Sequence, residues 1–286
     1  MIGLGLGLNV RSSRLGGLAP ILDRLSVSPV AVYSLRRMRA AYTGFCIRVR
    51  RSSDNTERNI GFVGNVIDTA DLLAWVGAGN GFVVRKHDHS VNGFDATQAT
   101  AANQPRIVSA GVLDVQNGKA CMRQVASQRW LTLPDIMIGA SSATAVIVYS
   151  QATSGLALSG WGGVNTQSAT NTHTPFSDGA AYDSFCSVTR QSFAGYGISE
   201  LLRIHSMRHT GSALQCFSNG TKIDTDKVIA FKSTVANNRL LTGVVASTVG
   251  VDACMSESVF FGSAISTSDR QLLERDQGTY YGITVA

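Results

Sequence analysis

The stretch Leu201–Ile223, LLRIHSMRHTGSALQCFSNGTKI, decides the fold class. It holds two short runs of aliphatic and aromatic residues, Leu201–Met207 and Ala213–Phe217, with Thr210, Gly211 and Ser212 between them. Asn219-Gly220 then separates Phe217 from Ile223. Asn-Gly is the dipeptide best able to occupy the two left-handed positions of a tight hairpin turn, so the stretch reads as strand, turn, strand.

The same punctuation recurs along the chain. From Phe82 onward, runs rich in Val, Ile, Thr and aromatics alternate with Gly, Asn, Ser and Asp, and Ala145–Tyr149, Leu240–Ala246 and Val259–Phe261 are further strands. Many short strands at this spacing predict a mainly β protein, an antiparallel β-sandwich with a few short helices. With 286 residues, 44% apolar and 15% charged, the chain can bury a large core while its surface rests on uncharged polar groups. That composition favours a folded domain over disorder. No Pro-rich or Gly/Ser-rich linker divides it, so a single domain is expected over 28–286, after an extended N-terminal arm at 1–27.

Three helices are signalled. The first takes Ser28 as N-cap and Pro29 as its opening residue, runs through Leu35 and Met38 towards Tyr42 and stops at Gly44. The second starts at Asp68 or Thr69, carries Leu72, Leu73 and Val76 at helical spacing and ends in the Gly77, Gly79, Gly81 cluster, which completes a helical portion over 28–81. The third opens on Ser266 and Asp269, turns Leu272 and Leu273 inward and places Gly278 past its end.

Charge and termini narrow the partners. The net charge of +6 draws on Arg36, Arg37, Arg39, Arg48, Arg50, Arg51 and Arg58, with Asp54 and Glu57 nearby. These read as a solvated helix face followed by a strand whose Arg48 and Arg50 point out while Ile47 and Val49 point in. No aromatics are interleaved for base stacking, so nucleic acid is not expected as a partner. Met1–Val10 alternates Gly with Leu or Ile and lacks the basic start and longer apolar run of a secretion signal. It is expected to pair with a neighbouring chain, and no membrane partner is expected. Five cysteines, Cys46, Cys121, Cys186, Cys216 and Cys254, show no CxxC spacing. Buried free thiols are expected, with disulfides formed outside a reducing cytoplasm as the alternative.

Chemistry-bearing motifs are sparse. In Asp88-His89-Ser90-Val91-Asn92-Gly93, oxygen side chains at every second position before a glycine make Asp88, Ser90 and Asn92 candidate Ca²⁺ ligands. Ala99 stands where an EF-hand loop would supply Glu, and a self-hydrogen-bonded turn is the competing reading. No other cofactor is expected. His87 with His89, and His205 with His209, each fall on one side of a strand and could together hold a transition metal. Glycosidic cleavage needs two carboxyl groups, and Asp178, Asp183, Glu200, Asp224, Asp226, Asp252 and Glu257 are available, though sequence cannot pair them. Trp130, Trp161, Tyr182 and Tyr196 could stack on sugar rings if exposed. There is no Gly-x-Ser-x-Gly elbow or Walker loop, and the Gly77–Gly81 cluster follows a helix where a dinucleotide fingerprint follows a strand.

Three stretches carry a resemblance: Tyr33-Ser34-Leu35-Arg36-Arg37 with Ala41-Tyr42-Thr43-Gly44 and Ile47–Asp54; Gly81-Phe82-Val83 through Asp88, Ser90 and Asn92-Gly93 to Ala96-Thr97-Gln98; and Asp269-Arg270-Gln271 to Tyr280-Tyr281-Gly282. Together they resemble bacteriophage virion proteins, tail or head-surface components with a laminin-G-like or concanavalin-A-like domain. The first two are also similar to the opening of the catalytic domain of fungal arabinofuranosidase B, over roughly the first hundred residues. Lys86, His87, His89 and Val91 stand where that motif has Trp, Tyr, Gln and Gly. No Asp or Glu beyond residue 110 can be matched to a glycosidase nucleophile or acid. The resemblance implies a concanavalin-A-like jelly roll on a virion. Its role would be structural rather than enzymatic, as a homo-oligomer with a trimer favoured, in contact with other virion proteins and host-surface glycans. An arabinofuranosidase-like hydrolase and a carbohydrate-binding lectin module are the alternatives.

Overall fold

The computed structural model describes residues 18–124, 129–152, 159–160, 171–172, 174–175, 178–233, 238–241 and 253–286. Its principal elements are β1 (Ala31–Ser34), β2 (Ile47–Arg51), β3 (Glu57–Ile60), α1 (Thr69–Val76), β4 (Gly81–Lys86), β5 (Arg106–Ser109) and β6 (Met122–Gln124). There follow β7 (Leu131–Leu133), β8 (Ala143–Gln151), β9 (Ala180–Asp183), β10 (Ser199–His209), β11 (Ala213–Ser218), β12 (Thr221–Val228), β13 (Asn238–Leu240), β14 (Ala253–Phe261) and α2 (Thr267–Tyr281).

Two antiparallel layers form the expected sandwich. The first runs β12–β11–β10–β8–β14, with β1 and β6 both on the far edge of β14. The second runs β3–β2–β4–β5 and reaches β7 and β13 through the short strand Ala96–Thr97. Pairing of Arg123 with Arg106 joins the layers at one edge. Between them lies the main core, with Ile47, Val49, Val83 and Ile107 facing Ala145, Ile147, Met207 and Phe260. A second core covers the outer side of the first layer, where Val146, Val148, Ile204 and Phe261 meet Leu273 and Tyr281 of α2 and Ile21 and Leu22. Every residue of β8 and β14 is therefore buried, and their sequences lack the in-out alternation of a half-exposed strand.

The hairpin forms as predicted: Ser218 pairs with Thr221, and Asn219 and Gly220 take φ of 47° and 85°. Asp68 caps α1 by accepting from the Asp71 N–H, and Gly77, at φ 65°, ends it. Ser266 likewise caps α2. The predicted helix from Ser28 to Tyr42 is instead β1. Its Ala31-Val32-Tyr33 run pairs with Phe260, Val259 and Ser258 and is buried on both sides, so an available strand edge outweighs the Ser-Pro start signal. Gly278 lies inside α2, which ends at left-handed Gly282. A Cβ on Gly278 would come 2.7 Å from the Ile283 carbonyl oxygen, so this glycine admits the returning tail.

The arm at 1–27 is corrected in its second half; residues 1–17 lie outside the described residues. Ile21–Asp23 form a 3₁₀ turn, Ile21 and Leu22 are buried, and Arg24 reaches Asp276 at 3.1 Å. Cys121 and Cys254 form a disulfide across β6 and β14, while Cys46, Cys186 and Cys216 are buried free thiols. Among the described residues, no helix is long and apolar enough to cross a membrane.

Candidate functional site

The Asp88 turn is organised by its own backbone. Asp88 Oδ1 accepts from the N–H groups of Val32 and Ser90, both at 2.8 Å, and Oδ2 accepts from the Ser90 hydroxyl and from the Phe94 N–H at 3.0 Å. Asn92 Nδ2 donates to the Val30 carbonyl at 2.8 Å. The two carboxylate oxygens thus carry four hydrogen bonds, and a cation placed on Asp88, Ser90 and Asn92 would compete with those donors.

The histidines have separate partners. His87 meets Asp95 at 3.1 Å, whereas His89 is stacked on Tyr42 with ring centroids 4.5 Å apart. Burial, and next the Lys86 cation, lower the His89 pKa to about 3. His209 packs edge-on to Phe231, and burial lowers it to about 4. Among the described residues, no group of three or more His, Cys, Asp or Glu side chains could hold a metal ion.

Of the carboxylates singled out by sequence, Asp178, Glu200, Asp224 and Asp226 are exposed, and Asp252 lies outside the described residues. Glu257, on the outer face of β14, is fully buried. It receives Arg36 Nε at 2.9 Å and Nη2 at 3.2 Å, Ser34 Oγ at 2.9 Å, Gln277 Nε2 at 3.0 Å and Tyr281 OH at 3.2 Å. Burial works to raise its pKa, and the Arg36 cation with these donors brings it below the usual carboxylate range. Arg36 is therefore a structural cation and not part of a solvated helix face. Arg48 and Arg50 do lie on the open side of β2, with Ile47 and Val49 buried.

Asp183, at the end of β9, is also buried but keeps different company. Its Oδ1 accepts the Phe185 N–H at 2.7 Å and its Oδ2 meets His205 Nε2 at 3.3 Å. His205 sits in register with Ile147 of β8, on the inner face of the sandwich. Its ring stands edge-on to Tyr196 at 5.3 Å and to Tyr149 at 6.4 Å, and the two tyrosine hydroxyls are hydrogen-bonded at 3.0 Å. Burial lowers the His205 pKa, and Asp183 offsets this only in part. The lowered pKa favours the neutral imidazole at the Asp183 contact.

The chain then turns sharply at Cys186, a non-glycine residue at φ 46°, with Ser187 N–H bonded to the Ser184 carbonyl at 3.1 Å. The Cys186 thiol is pushed up by burial and by two nearby carboxylates, Asp183 and then Asp135. Asp135 is half-buried and accepts the Met137 N–H at 3.2 Å. Cys186 and buried Leu241, at φ 77°, are two of seven non-glycine residues with positive φ among the described residues. Such backbone states cost about 1–3 kcal/mol each and persist where the surroundings impose them.

The structure thus brings together Asp183, His205, Tyr149 and Tyr196, with Asp135 near enough to Cys186 to act on its thiol. Two carboxyl groups in unequal surroundings are the raw material of glycosidic acid–base chemistry. Sequence named Asp183, His205 and Tyr196 but did not connect them, and it missed Asp135 and Tyr149, which no local pattern marks. Tyr196 is core rather than an open sugar platform. Trp130 lies beneath Arg239 at 4.2 Å, Tyr182 faces Arg190 at 4.8 Å, and Trp161 lies outside the described residues.

No family model and no curated protein sequence matches the chain. Solved structures do. An arabinofuranosidase complexed with arabinofuranosyl-α-1,2-xylobiose aligns with TM-score 0.65 at 13% identity, covering 90% of this chain and 63% of that one. A GH54 α-L-arabinofuranosidase mutant soaked with 4-nitrophenyl α-L-arabinofuranoside gives 0.66 at 14%, and a GH54 enzyme soaked with a cyclic sulfate inhibitor gives 0.63 at 13%, with the same coverage. The chain therefore spans 63% of the length of these arabinofuranosidases. The likeness expected over the first hundred residues extends, as a fold, over nearly the whole chain. It also overturns the expectation of a non-enzymatic module, because this scaffold is one that arabinofuranosidases carry.

Proposed function

We propose that this chain is the sandwich domain of a glycoside hydrolase acting on α-L-arabinofuranosides or related furanosides. The observation that carries the reading is the fold likeness to arabinofuranosidases across 90% of the chain. The Asp183 region supports it. Asp183, whose carboxylate oxygens meet the Phe185 N–H and His205 Nε2, is our candidate to meet the anomeric carbon. Asp135, half-buried, is our candidate for the second carboxyl group, the one that would pass a proton to the glycosidic oxygen as the C–O bond breaks and take one from the attacking water.

Release of 4-nitrophenolate from 4-nitrophenyl α-L-arabinofuranoside tests this. The wild-type chain is expected to turn over, and Asp183→Asn and Asp135→Asn are each expected to lose roughly 10²–10⁴-fold in rate. A wild-type chain inert on this and other furanosides, or variants with undiminished rates, would overturn the assignment. A place on a virion, assembly into a homo-oligomer and contact with host-surface glycans remain proposals of the sequence resemblance. A glycan-cleaving sandwich displayed by a phage would unite them with the enzymatic reading, and light scattering of the purified chain tests the oligomer.

A further inference from the structure

A groove runs over the face of the molecule that α2 covers, on the opposite side of the first layer from His205 and Asp183. Three depressions of about 280, 520 and 400 Å³ adjoin one another along the C-terminal half of α2. The first two share Lys119 and Tyr280, and the second and third share Arg275 and Thr279. The middle one is lined by Arg24, Arg36, Lys119 and Arg275 against a single carboxylate, Asp276.

That carboxylate is already committed, at 3.1 Å from Arg24 and 2.7 Å from Arg36, and Arg36 also holds Glu257. Lys119 and Arg275 have no ion-pair partner among the described residues. Lys119 Nζ lies 4.4 Å from the centroid of the Tyr280 ring and Arg36 Cζ lies 4.6 Å from it. Those contacts fix the ring at the junction of two depressions.

We infer that this groove is a second, non-catalytic site that binds a linear oligosaccharide bearing carboxylate sugars. The row of adjoining depressions suits a chain-like ligand, and Lys119 and Arg275 supply charge for carboxylates. Tyr280 offers a ring edge, and Thr279 a hydroxyl, to the sugar itself. A lone half-buried aromatic is a poor base-stacking surface, which favours a glycan over single-stranded nucleic acid. The site is independent of Asp183, so it would hold an acidic polysaccharide whatever bond is cut on the inner face.

The test is calorimetric titration of the full chain with oligogalacturonate at low and high salt, with a neutral arabino-oligosaccharide as control. Wild type and Asp183→Asn are expected to bind oligogalacturonate alike, more weakly in high salt. The double variant Lys119→Gln/Arg275→Gln is expected to bind at least about tenfold more weakly, with an unchanged melting temperature. Equal affinity in the double variant would overturn the inference. So would equal affinity for the neutral control, since the cations would then be idle, or equal affinity for single-stranded DNA, which would make the groove a general polyanion surface. Loss of arabinofuranoside turnover would bear on the enzymatic proposal and leave this one standing.

Discussion

Glu257 and Asp183 are both buried carboxylates on strands of the sandwich, one on the outer side of the first layer and one against the inner face, yet their surroundings differ in kind. Glu257 is neutralised by Arg36 and receives hydroxyl and amide donors from β1 and α2, so it locks the helix and β1 onto the sheet. Asp183 meets an imidazole and a backbone N–H, acts together with Asp135 on the Cys186 thiol and lies beside the turn at that cysteine. A buried charge with a fixed counter-ion serves as a clamp. One that meets a backbone N–H and an imidazole is placed by the packing of strands and not by an arginine clamp.

The largest expected effect follows from the clamp. Arg36→Leu leaves Glu257 buried without its cation and is expected to cost roughly 3–5 kcal/mol, lowering Tm by about 10 °C in thermal unfolding. The double variant Arg36→Leu/Glu257→Leu should recover most of that loss. A single variant within about 1 kcal/mol of wild type would erase the contrast between the two carboxylates.

Titration sharpens it next. The Glu257 pKa is depressed in the fold, so its contribution is present above the unfolded value of about 4.3 and is lost as pH falls through the folded one. Glu257→Gln should flatten that acid limb in a Tm-versus-pH series. Lys86, fully buried with Nζ donating to the Ser256 carbonyl, has the opposite history, because burial lowers its pKa to about 8. The unfolded chain then binds more protons than the fold between pH 8 and about 10.4, so stability should rise with pH in that window. Lys86→Met should remove the rise.

A smaller effect is expected at Asp183. Asparagine preserves the shape and can still accept the Phe185 N–H, so Asp183→Asn should shift stability by only about 1 kcal/mol in denaturant titration while turnover collapses. A loss as large as that of Arg36→Leu would make Asp183 a second clamp. The smallest effect, none, is expected when a chelator is added. Asp88 is a third buried carboxylate, satisfied by protein donors, and a Tm that falls in EDTA would reinstate a calcium ion there.

What the sequence by itself determined is what short-range chemistry controls. The Asn219-Gly220 turn, the Asp68 and Ser266 caps and the glycine that ends α1 act within about four residues of themselves, and all were legible. The β-rich alternation after Phe82 likewise announced a sandwich. Tertiary structure decided the rest, because the competing forces came from residues far along the chain. Val32 is a strand residue because β14 offers it an edge, Arg36 turns inward because Glu257 waits there, and Gly278 stays helical to make room for Ile283 and Val285. Asp183 and His205 meet only after two separate strands have packed, since burial and charge pairing depend on distance in space rather than on spacing in sequence.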